Sequence, residues 1–204
     1  MTTARLLLLR HGETTWNAER RWQGWADTPL SDLGHRQALD AVEHLAHAGL
    51  TRAVSSDLQR ARRTAETIAA GLGLGEVETD PALRERHVGL FEGHTIEEIL
   101  ATWPECFDDD GRLHSVPEGE DAGAILARAL PALRAIAARH DGETVLVVSH
   151  GGVIRTIERH LGVDPGPSTP NLGGRWLTVA DDDVTVGDRH VPIAPGLVSS
   201  PQTE

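Results

Sequence analysis

Two segments of the chain place a histidine and a glycine at the end of an apolar run. Residues 6–12 read L-L-L-L-R-H-G, and residues 144–152 read T-V-L-V-V-S-H-G-G. Each run has the length of a strand buried on both faces, so His11 and His150 are predicted at strand ends. With Arg10 beside the first histidine, these groups favour a site for a dense anion such as phosphate. Gly12 would let the backbone approach that ligand closely.

Transfer of a phosphoryl group without a metal ion needs a nucleophile, positive charge and an acid for the leaving oxygen. His11 is the candidate nucleophile, because neutral imidazole can form a phosphoramidate near pH 7. Arg10 and Arg60 can bind phosphate oxygens through their forked donors, and His150 can hydrogen-bond the same group. Glu85, in the run L-R-E-R-H, is the candidate acid.

The composition argues against several classes of protein and several kinds of site. The 204 residues suffice for one domain with a full core, and the net charge of −12 argues against binding nucleic acid or anionic membrane. The single cysteine, Cys106, excludes an intrachain disulfide and a multi-cysteine zinc site. His44 and His47 have no carboxylate at ligand spacing, so we predict no metal and no cofactor. No transmembrane-length run or signal-peptide pattern is visible, so we expect a cytoplasmic protein.

Strands alternate with helices along the chain. The patterns predict strands at 6–9, 53–55, 77–79 and 145–149, helices at 31–48, 58–70, 121–139 and 153–161, and a closing hairpin of 175–180 with 184–186. This alternation predicts a three-layer α/β/α sandwich with a mostly parallel central sheet. We expect residues 1–192 to form a single domain with a lid-like insertion at about 90–120, and residues 193–204 to form a loosely ordered tail.

The order of the motifs resembles that of the histidine phosphatase superfamily, the phosphoglycerate mutase-like proteins. The resemblance runs over roughly residues 4–190 and is carried by R-H-G-E-T, W-N, Q-G-W, L-S-D-L-G, S-S-D-L-Q-R-A, L-R-E-R-H, P-E-G-E and S-H-G-G. It implies an α/β sandwich and a mechanism without a metal ion.

The resemblance also implies a role for each matching residue. His11 would accept the phosphoryl group, and Glu85 would donate the proton. The phosphate pocket would consist of Arg10, Arg60 and His150, while the substrate side would be lined by Asn17, Gln23, Gly24 and Gly151.

Two features depart from the family pattern. Cofactor-dependent mutases of this family carry a basic stretch after the glutamate loop, whereas residues 91–110 here contain seven acids and no Lys or Arg. This acidity is expected to repel a second phosphate, which favours the phosphatase branch. Glu120 and Asp121 stand where many phosphatase members have Glu-Ser, and the role of that turn is left open.

We therefore expect a hydrolase, a phosphomonoesterase of the histidine acid phosphatase type, acting on a small phosphorylated metabolite. The alternatives are a phosphoglycerate mutase and a catalytically silent protein that binds phosphorylated ligands. A homodimer is left open.

Trp16, Trp22 and Trp25 lie within one loop beside the signature, where they would either pack in the core or form an apolar rim for the leaving group.

Overall fold

The protein is described here by a computed structural model that covers residues 3–166 and 168–199. Six strands form one sheet: β1 (Thr3–Arg10), β2 (Arg52–Ser55), β3 (Glu78–Thr79), β4 (Thr144–Ser149), β5 (Gly174–Ala180) and β6 (Asp183–His190). Their order across the sheet is β3-β2-β4-β1-β5-β6. The first four strands are parallel, whereas β5 runs antiparallel to β1 and β6 antiparallel to β5.

The described residues form six α-helices: α1 (Thr15–Ala18), α2 (Asp32–Leu45), α3 (Gln59–Leu72), α4 (Ile96–Thr102), α5 (Ala122–Arg139) and α6 (Gly151–His160). Helices α2 and α3 cover one face of the sheet, and α5 and α6 cover the other. Because side chains alternate along a strand, Leu7 and Leu9 of β1 join the core beneath α2 and α3. Leu6 and Leu8 join the core beneath α5 and α6. The predicted three-layer sandwich with a mostly parallel sheet is confirmed.

Two helix boundaries differ from the sequence-based expectation. Helix α2 ends at Leu45 instead of Ala48, and a turn follows before Gly49, which has a φ of +73°. Helix α6 begins at Gly151, with His150 as its N-cap residue, instead of after the Gly-Gly pair. The first turn of α6 therefore follows β4 directly, which brings its backbone N–H groups to the strand end.

The segment expected to act as a lid has a small core of its own. It contains α4 and two 3₁₀ turns, Gly89–Phe91 and Pro104–Cys106. Phe91, Ile99 and Cys106 are buried together, and Trp22 packs against Phe91 with ring centroids 5.8 Å apart. Trp22 therefore belongs to this small core.

The end of the described chain differs from the expected loose tail. Ile193 is buried beneath α2 and α3, where Leu197 also packs. Gln37 donates hydrogen bonds to the Leu197 carbonyl at 2.8 Å and to Ser199 Oγ at 2.9 Å. Residues 200–204 of the predicted tail lie outside the described residues. None of the helices in the described ranges is long and apolar enough to cross a membrane.

Candidate active site

The ends of β1 and β4 bring the two predicted histidines together. Arg10 pairs with Ser149 in the sheet register, and the His11 amide donates to the Ser149 carbonyl at 3.0 Å. The ring centroids of His11 and His150 are consequently 5.1 Å apart in an edge-to-face arrangement. The separation of the two imidazoles is therefore fixed by the backbone ladder of the sheet.

The ring of His11 is oriented by a hydrogen bond to its own neighbour. Nδ1 lies 2.7 Å from the Gly12 carbonyl oxygen, which can only accept, so Nδ1 carries the proton and Nε2 has the free electron pair. Burial lowers the pKa of His11 well below its usual value, and the charges of Arg60 and Arg10 lower it further. His11 is therefore a neutral imidazole whose Nε2 can attack an electrophile.

Arg60 in the first turn of α3 is fully buried beside His11. Its Nε donates to His11 Nε2 at 3.2 Å. Its two terminal nitrogens donate to the Ala26 carbonyl at 2.7 Å and to the Gly24 carbonyl at 2.9 Å. The guanidinium is thus held rigidly against the imidazole, where it can bind an oxyanion that approaches Nε2.

Arg10 and His150 are also buried, and they lie next to His11 at the ends of β1 and β4. Arg10 Nη1 donates to the Thr169 carbonyl at 2.7 Å. Neither ring nitrogen of His150 has a hydrogen-bond partner among the residues that the structure describes. Burial, followed by the charge of Arg60, lowers the pKa of His150 well below its usual value. A buried imidazole with two unsatisfied nitrogens is suited to hydrogen-bonding a ligand at this position.

Glu85 approaches the same place from the opposite side, on the loop that follows the 3₁₀ turn Pro81–Leu83. Its Oε1 accepts from the Arg86 amide at 2.8 Å, and its Oε2 accepts from the Gly152 amide at 3.3 Å. A Cβ atom on residue 152 would lie 2.5 Å from Oε1, so only glycine lets the carboxyl group approach this closely. The second glycine of the S-H-G-G motif thus makes room for the carboxylate at the first turn of α6.

The residues expected on the substrate side take two different positions. Asn17, Gln23 and Gly24 line the cavity beside His11. Asn17 also closes a capping box with Thr14, and Gln23 accepts a hydrogen bond from Thr14 Oγ1 at 3.0 Å. Gly151 is buried as the first residue of α6 and is not part of the cavity wall in the described chain.

Gly12 serves a purpose different from the expected one. A Cβ atom at Gly12 would lie 2.7 Å from the Gly34 carbonyl oxygen, and one at Gly34 would lie 2.0 Å from the Glu13 carbonyl oxygen. The two glycines let the turn after β1 pack directly on the first turn of α2. The close approach predicted for Gly12 is therefore to another backbone segment.

The site opens into a cavity of about 320 Å³. His11, Arg60 and Glu85 lie in its wall, and Arg10 and His150 are buried beside His11. The wall contains six arginines and two carboxylates, namely Arg20, Arg21, Arg60, Arg86, Arg155 and Arg159 with Glu85 and Asp121. The cavity is therefore cationic in a protein whose net charge is −12.

The acidic segment contributes almost nothing to this cavity. Of residues 91–110, only Ile96 lies in the wall, and none of the seven carboxylates does. One of them still acts on the wall, because Glu98 pairs with Arg21 Nη1 at 3.1 Å. The expected repulsion of a second anionic group stays a prediction. The acids lie on a segment that folds around its own core, while the arginines come from α3, from α6, from the loop after α1 and from the Glu85 loop.

Several residues that build the site were not predicted from the sequence. Asn171 is buried, and its Nδ2 donates to the His11 carbonyl at 2.9 Å and to Asn17 Oδ1 at 3.4 Å. Arg155 and Arg159 lie one helical turn apart on α6. Only their spacing after the S-H-G-G motif could have predicted that both line the site, because residues four apart share a helix face. No local pattern pointed to Asn171.

The described residues contain no group of three or more His, Cys, Asp or Glu side chains that could hold a metal ion. His44 lies on an exposed part of α2 and pairs with Asp40 across 3.5 Å, so the expectation that no carboxylate lies at ligand spacing from His44 is wrong.

Comparison with known proteins agrees with this arrangement. The family model of the histidine phosphatase superfamily (branch 1) matches residues 6–172. Phosphoglycerate mutase-like protein 4 of Arabidopsis thaliana is 42% identical over 159 residues, which are 76% of this chain and 69% of that protein. A metal-independent phosphoserine phosphatase of the same plant is 41% identical over 157 residues, 74% of this chain and 66% of that protein.

A solved structure extends the likeness to three dimensions. YhfR of Bacillus stearothermophilus has a TM-score of 0.80 and 35% identity, covering 90% of this chain and 95% of that one. The matched region contains both strand-end histidines and the Glu85 loop. The chain belongs to the histidine phosphatase superfamily, branch 1, whose members are hydrolases or mutases.

Proposed function

We propose that this protein is a metal-independent phosphomonoesterase that transfers a phosphoryl group first to His11 and then to water. The observation that carries the proposal is the state of His11. Its ring is neutral, its proton is on Nδ1, and its Nε2 shares one cavity with Arg60 and Glu85. A phosphatase among the relatives supports hydrolysis as the net reaction.

The reaction follows from these positions in two steps. Nε2 of His11 attacks phosphorus, the bond from phosphorus to the leaving oxygen breaks, and the carboxyl group of Glu85 gives its proton to that oxygen. Water then attacks the phosphohistidine while the Glu85 carboxylate takes the water proton, and the P–N bond breaks. Arg10, Arg60 and His150 hold the non-bridging oxygens in both steps.

The charge of the cavity supports a substrate that carries a second acidic group. Arg86 and Arg159 lie in the wall together with Arg20 and Arg155, beyond the residues assigned to the phosphate. Guanidinium groups bind carboxylate and phosphate through paired donors. Phosphoserine, which the name of one relative gives as its substrate, combines a phosphate with a carboxylate. We therefore propose a small phosphorylated acid as the substrate class.

The same arginines favour a second candidate function, that of a phosphoglycerate mutase. A mutase must retain two phosphates in one site, which requires cations beyond the phosphate pocket. The name of another relative points in the same direction. Hydrolysis remains the first proposal, and the two reactions differ in whether free phosphate accumulates.

Phosphate release from a panel of phosphomonoesters, with and without EDTA, tests the proposal. We expect turnover that survives EDTA and is higher for phosphoserine and 3-phosphoglycerate than for glycerol phosphate. Replacement His11→Ala should reduce turnover by a few orders of magnitude, because the nucleophile is lost. Arg159→Gln should remove roughly tenfold of the preference for acidic substrates, about 1.4 kcal/mol, and leave the rate on nitrophenyl phosphate unchanged.

Three results would overturn these proposals. Loss of activity in EDTA that is restored by a divalent metal contradicts the metal-independent mechanism. A His11→Ala protein that keeps a large share of its rate contradicts the phosphohistidine. Interconversion of 2- and 3-phosphoglycerate that is faster than phosphate release, measured on the same preparation, shows that the mutase reading is right.

A further inference from the structure

Arg128 lies on α5, outside the cavity wall, yet its guanidinium reaches three carbonyl oxygens around Glu85. Nη1 donates to the Ala82 carbonyl at 2.8 Å and to the Arg84 carbonyl at 2.6 Å. Nη2 donates to the carbonyl of Glu85 itself at 2.9 Å. One side chain thus satisfies three backbone acceptors within four residues.

The same guanidinium is clamped by Glu120. Arg128 Nε donates to Glu120 Oε1 at 2.9 Å, and Nη2 donates to Oε2 at 2.8 Å. Both side chains are only 18% exposed, so the pair is largely shielded from water. A bidentate, largely buried pair of this kind has a fixed geometry and is costly to break on one side only.

Glu120 in turn holds the far side of the Glu85 loop. Its Oε2 accepts from the His87 amide at 2.8 Å, and its backbone carbonyl accepts from Arg86 Nε at 2.7 Å. Although burial alone would raise it, the pKa of Glu120 is held below its usual value by the hydrogen bonds from Arg128 and the His87 amide. The pair therefore remains ionised, and it hydrogen-bonds to the loop both before and after Glu85.

Other contacts hold the residues on either side of Glu85. The Arg84 side chain donates to both carboxylate oxygens of Asp57, and the His87 carbonyl accepts from the Glu120 amide at 2.8 Å. Residues 84–88 form no helix or strand, so their carbonyl groups have no ladder partners. Besides Arg128, Trp25 donates from Nε1 to the Glu85 carbonyl at 2.7 Å. Because Lys has a single nitrogen, it cannot reproduce the planar fork that spans these acceptors.

We propose that Arg128, clamped by Glu120, positions the carboxyl group of Glu85 for proton transfer to the leaving oxygen. Arg128 acts through the backbone of residues 82–85 and is a positioning residue. This role rests on the proposed function, in which Glu85 is the general acid. It also gives Glu120, whose place in the P-E-G-E motif was left open, a defined part in the site.

The test compares two substrates whose leaving groups differ in their need for a proton. An alkyl phosphate such as glycerol phosphate requires a general acid, which contributes about 10²–10⁴-fold, whereas nitrophenolate leaves without one. We expect Arg128→Lys to lower kcat on glycerol phosphate at least about tenfold more than on nitrophenyl phosphate. In the Glu85→Gln background, Arg128→Lys should cause no further loss on glycerol phosphate, because the positioned proton is already absent.

A matched control comes from the same helix. Arg134 is partly buried and donates from Nε to the Asp182 carbonyl at 2.9 Å, away from the Glu85 loop. Arg134→Lys should leave both rates unchanged. If Arg128→Lys does not fold, Glu120→Gln removes the charge of the clamp and should show the same selective loss.

The outcomes separate this inference from the proposed function. If Glu85→Gln lowers both rates equally, Glu85 is not the general acid, and the proposed function fails together with the inference. If Glu85→Gln is selective but Arg128→Lys and Glu120→Gln lower both rates equally, Arg128 only supports the fold and the inference alone is wrong. Additive losses in the double variant would also overturn it.

Discussion

The two buried histidines of the site make the stability of the fold depend on pH. Burial, the largest cause, lowers the pKa of both His11 and His150 well below 6.5 in the native state. The unfolded chain keeps a pKa near 6.5, so below that pH it binds more protons than the folded protein does. The free energy of unfolding is therefore expected to decrease as the pH falls from about 6.5 toward the native pKa values.

The slope of stability against pH measures this effect. Each histidine is expected to contribute up to about 1.4 kcal/mol per pH unit in that range. Urea unfolding between pH 7.5 and 5 should show a shallower slope for His150→Asn than for the wild type, because asparagine does not titrate. His47→Asn, at an exposed position of the α2–β2 turn, serves as the control. An unchanged slope for His150→Asn would contradict the expectation.

At the scale of single residues, the sequence predicted those parts of the site whose signal is local. Arg10, His11 and His150 follow apolar strand runs, and Arg60 and Glu85 lie within motifs that resemble the family. Asn171 and Arg128 could not be predicted, because each acts through contacts with residues more than 40 positions away in the chain. Their partners are brought close only by the fold.

The packing of the turn after β1 on helix α2 is the critical contact between elements. Gly34 lies in the first turn of α2, where Ser31 is the N-cap and donates from its amide to the Glu13 carbonyl at 2.9 Å. A Cβ at Gly34 would lie 2.0 Å from that same carbonyl oxygen, a contact that only a backbone shift can relieve. Alanine would favour the helix by up to about 1 kcal/mol, but the overlap outweighs this gain.

We expect Gly34→Ala to destabilise the protein by about 1–3 kcal/mol and to lower the phosphatase rate, since the shifted turn carries His11. Gly196→Ala is the control, because a Cβ there would meet no atom within 4 Å. Denaturant unfolding and turnover of nitrophenyl phosphate measure the two effects. If the two variants have equal stability and equal activity, the turn accommodates a Cβ at residue 34 without loss of stability, which would contradict the expectation.

Element boundaries were predicted less well than element types, for identifiable reasons. The Gly-Gly pair after His150 indicated a late start for α6, yet glycine is required there to admit the Glu85 carboxyl group. The Pro-, Gly- and Ser-rich end of the chain indicated a loose tail, yet Ile193 and Leu197 anchor it beneath α2 and α3. In both places a tertiary contact outweighed the local preference.

At the scale of the whole molecule, the layer architecture was predictable because many strands and helices along the chain show the same alternation. Strands alternate with amphipathic helices, and β1 and β4 carry continuous apolar runs that only a sheet covered on both faces can bury. The charge of the site was not predictable in the same way. The seven acids of residues 91–110 lie outside the cavity wall, and arginines from separate segments of the chain line it.

The pairing of β1 with β4 has a consequence for the order in which the protein loses structure. The His11 amide is bonded to Ser149 at the end of a ladder that runs from the pair Arg5–Thr144 to the pair Arg10–Ser149, between two buried cores. Such an amide exchanges its hydrogen for deuterium only when the sheet itself opens, whereas amides of α4 can exchange through local opening of its small separate core.

Hydrogen–deuterium exchange should therefore place the amides of residues 6–11 and 145–149 among the slowest in the molecule, with residues 96–102 much faster. Fast exchange at residues 6–11 under native conditions would contradict this. On heating, the nucleophile should remain in place until the whole domain melts. The segment that contains α4 can loosen at a lower temperature without displacing His11.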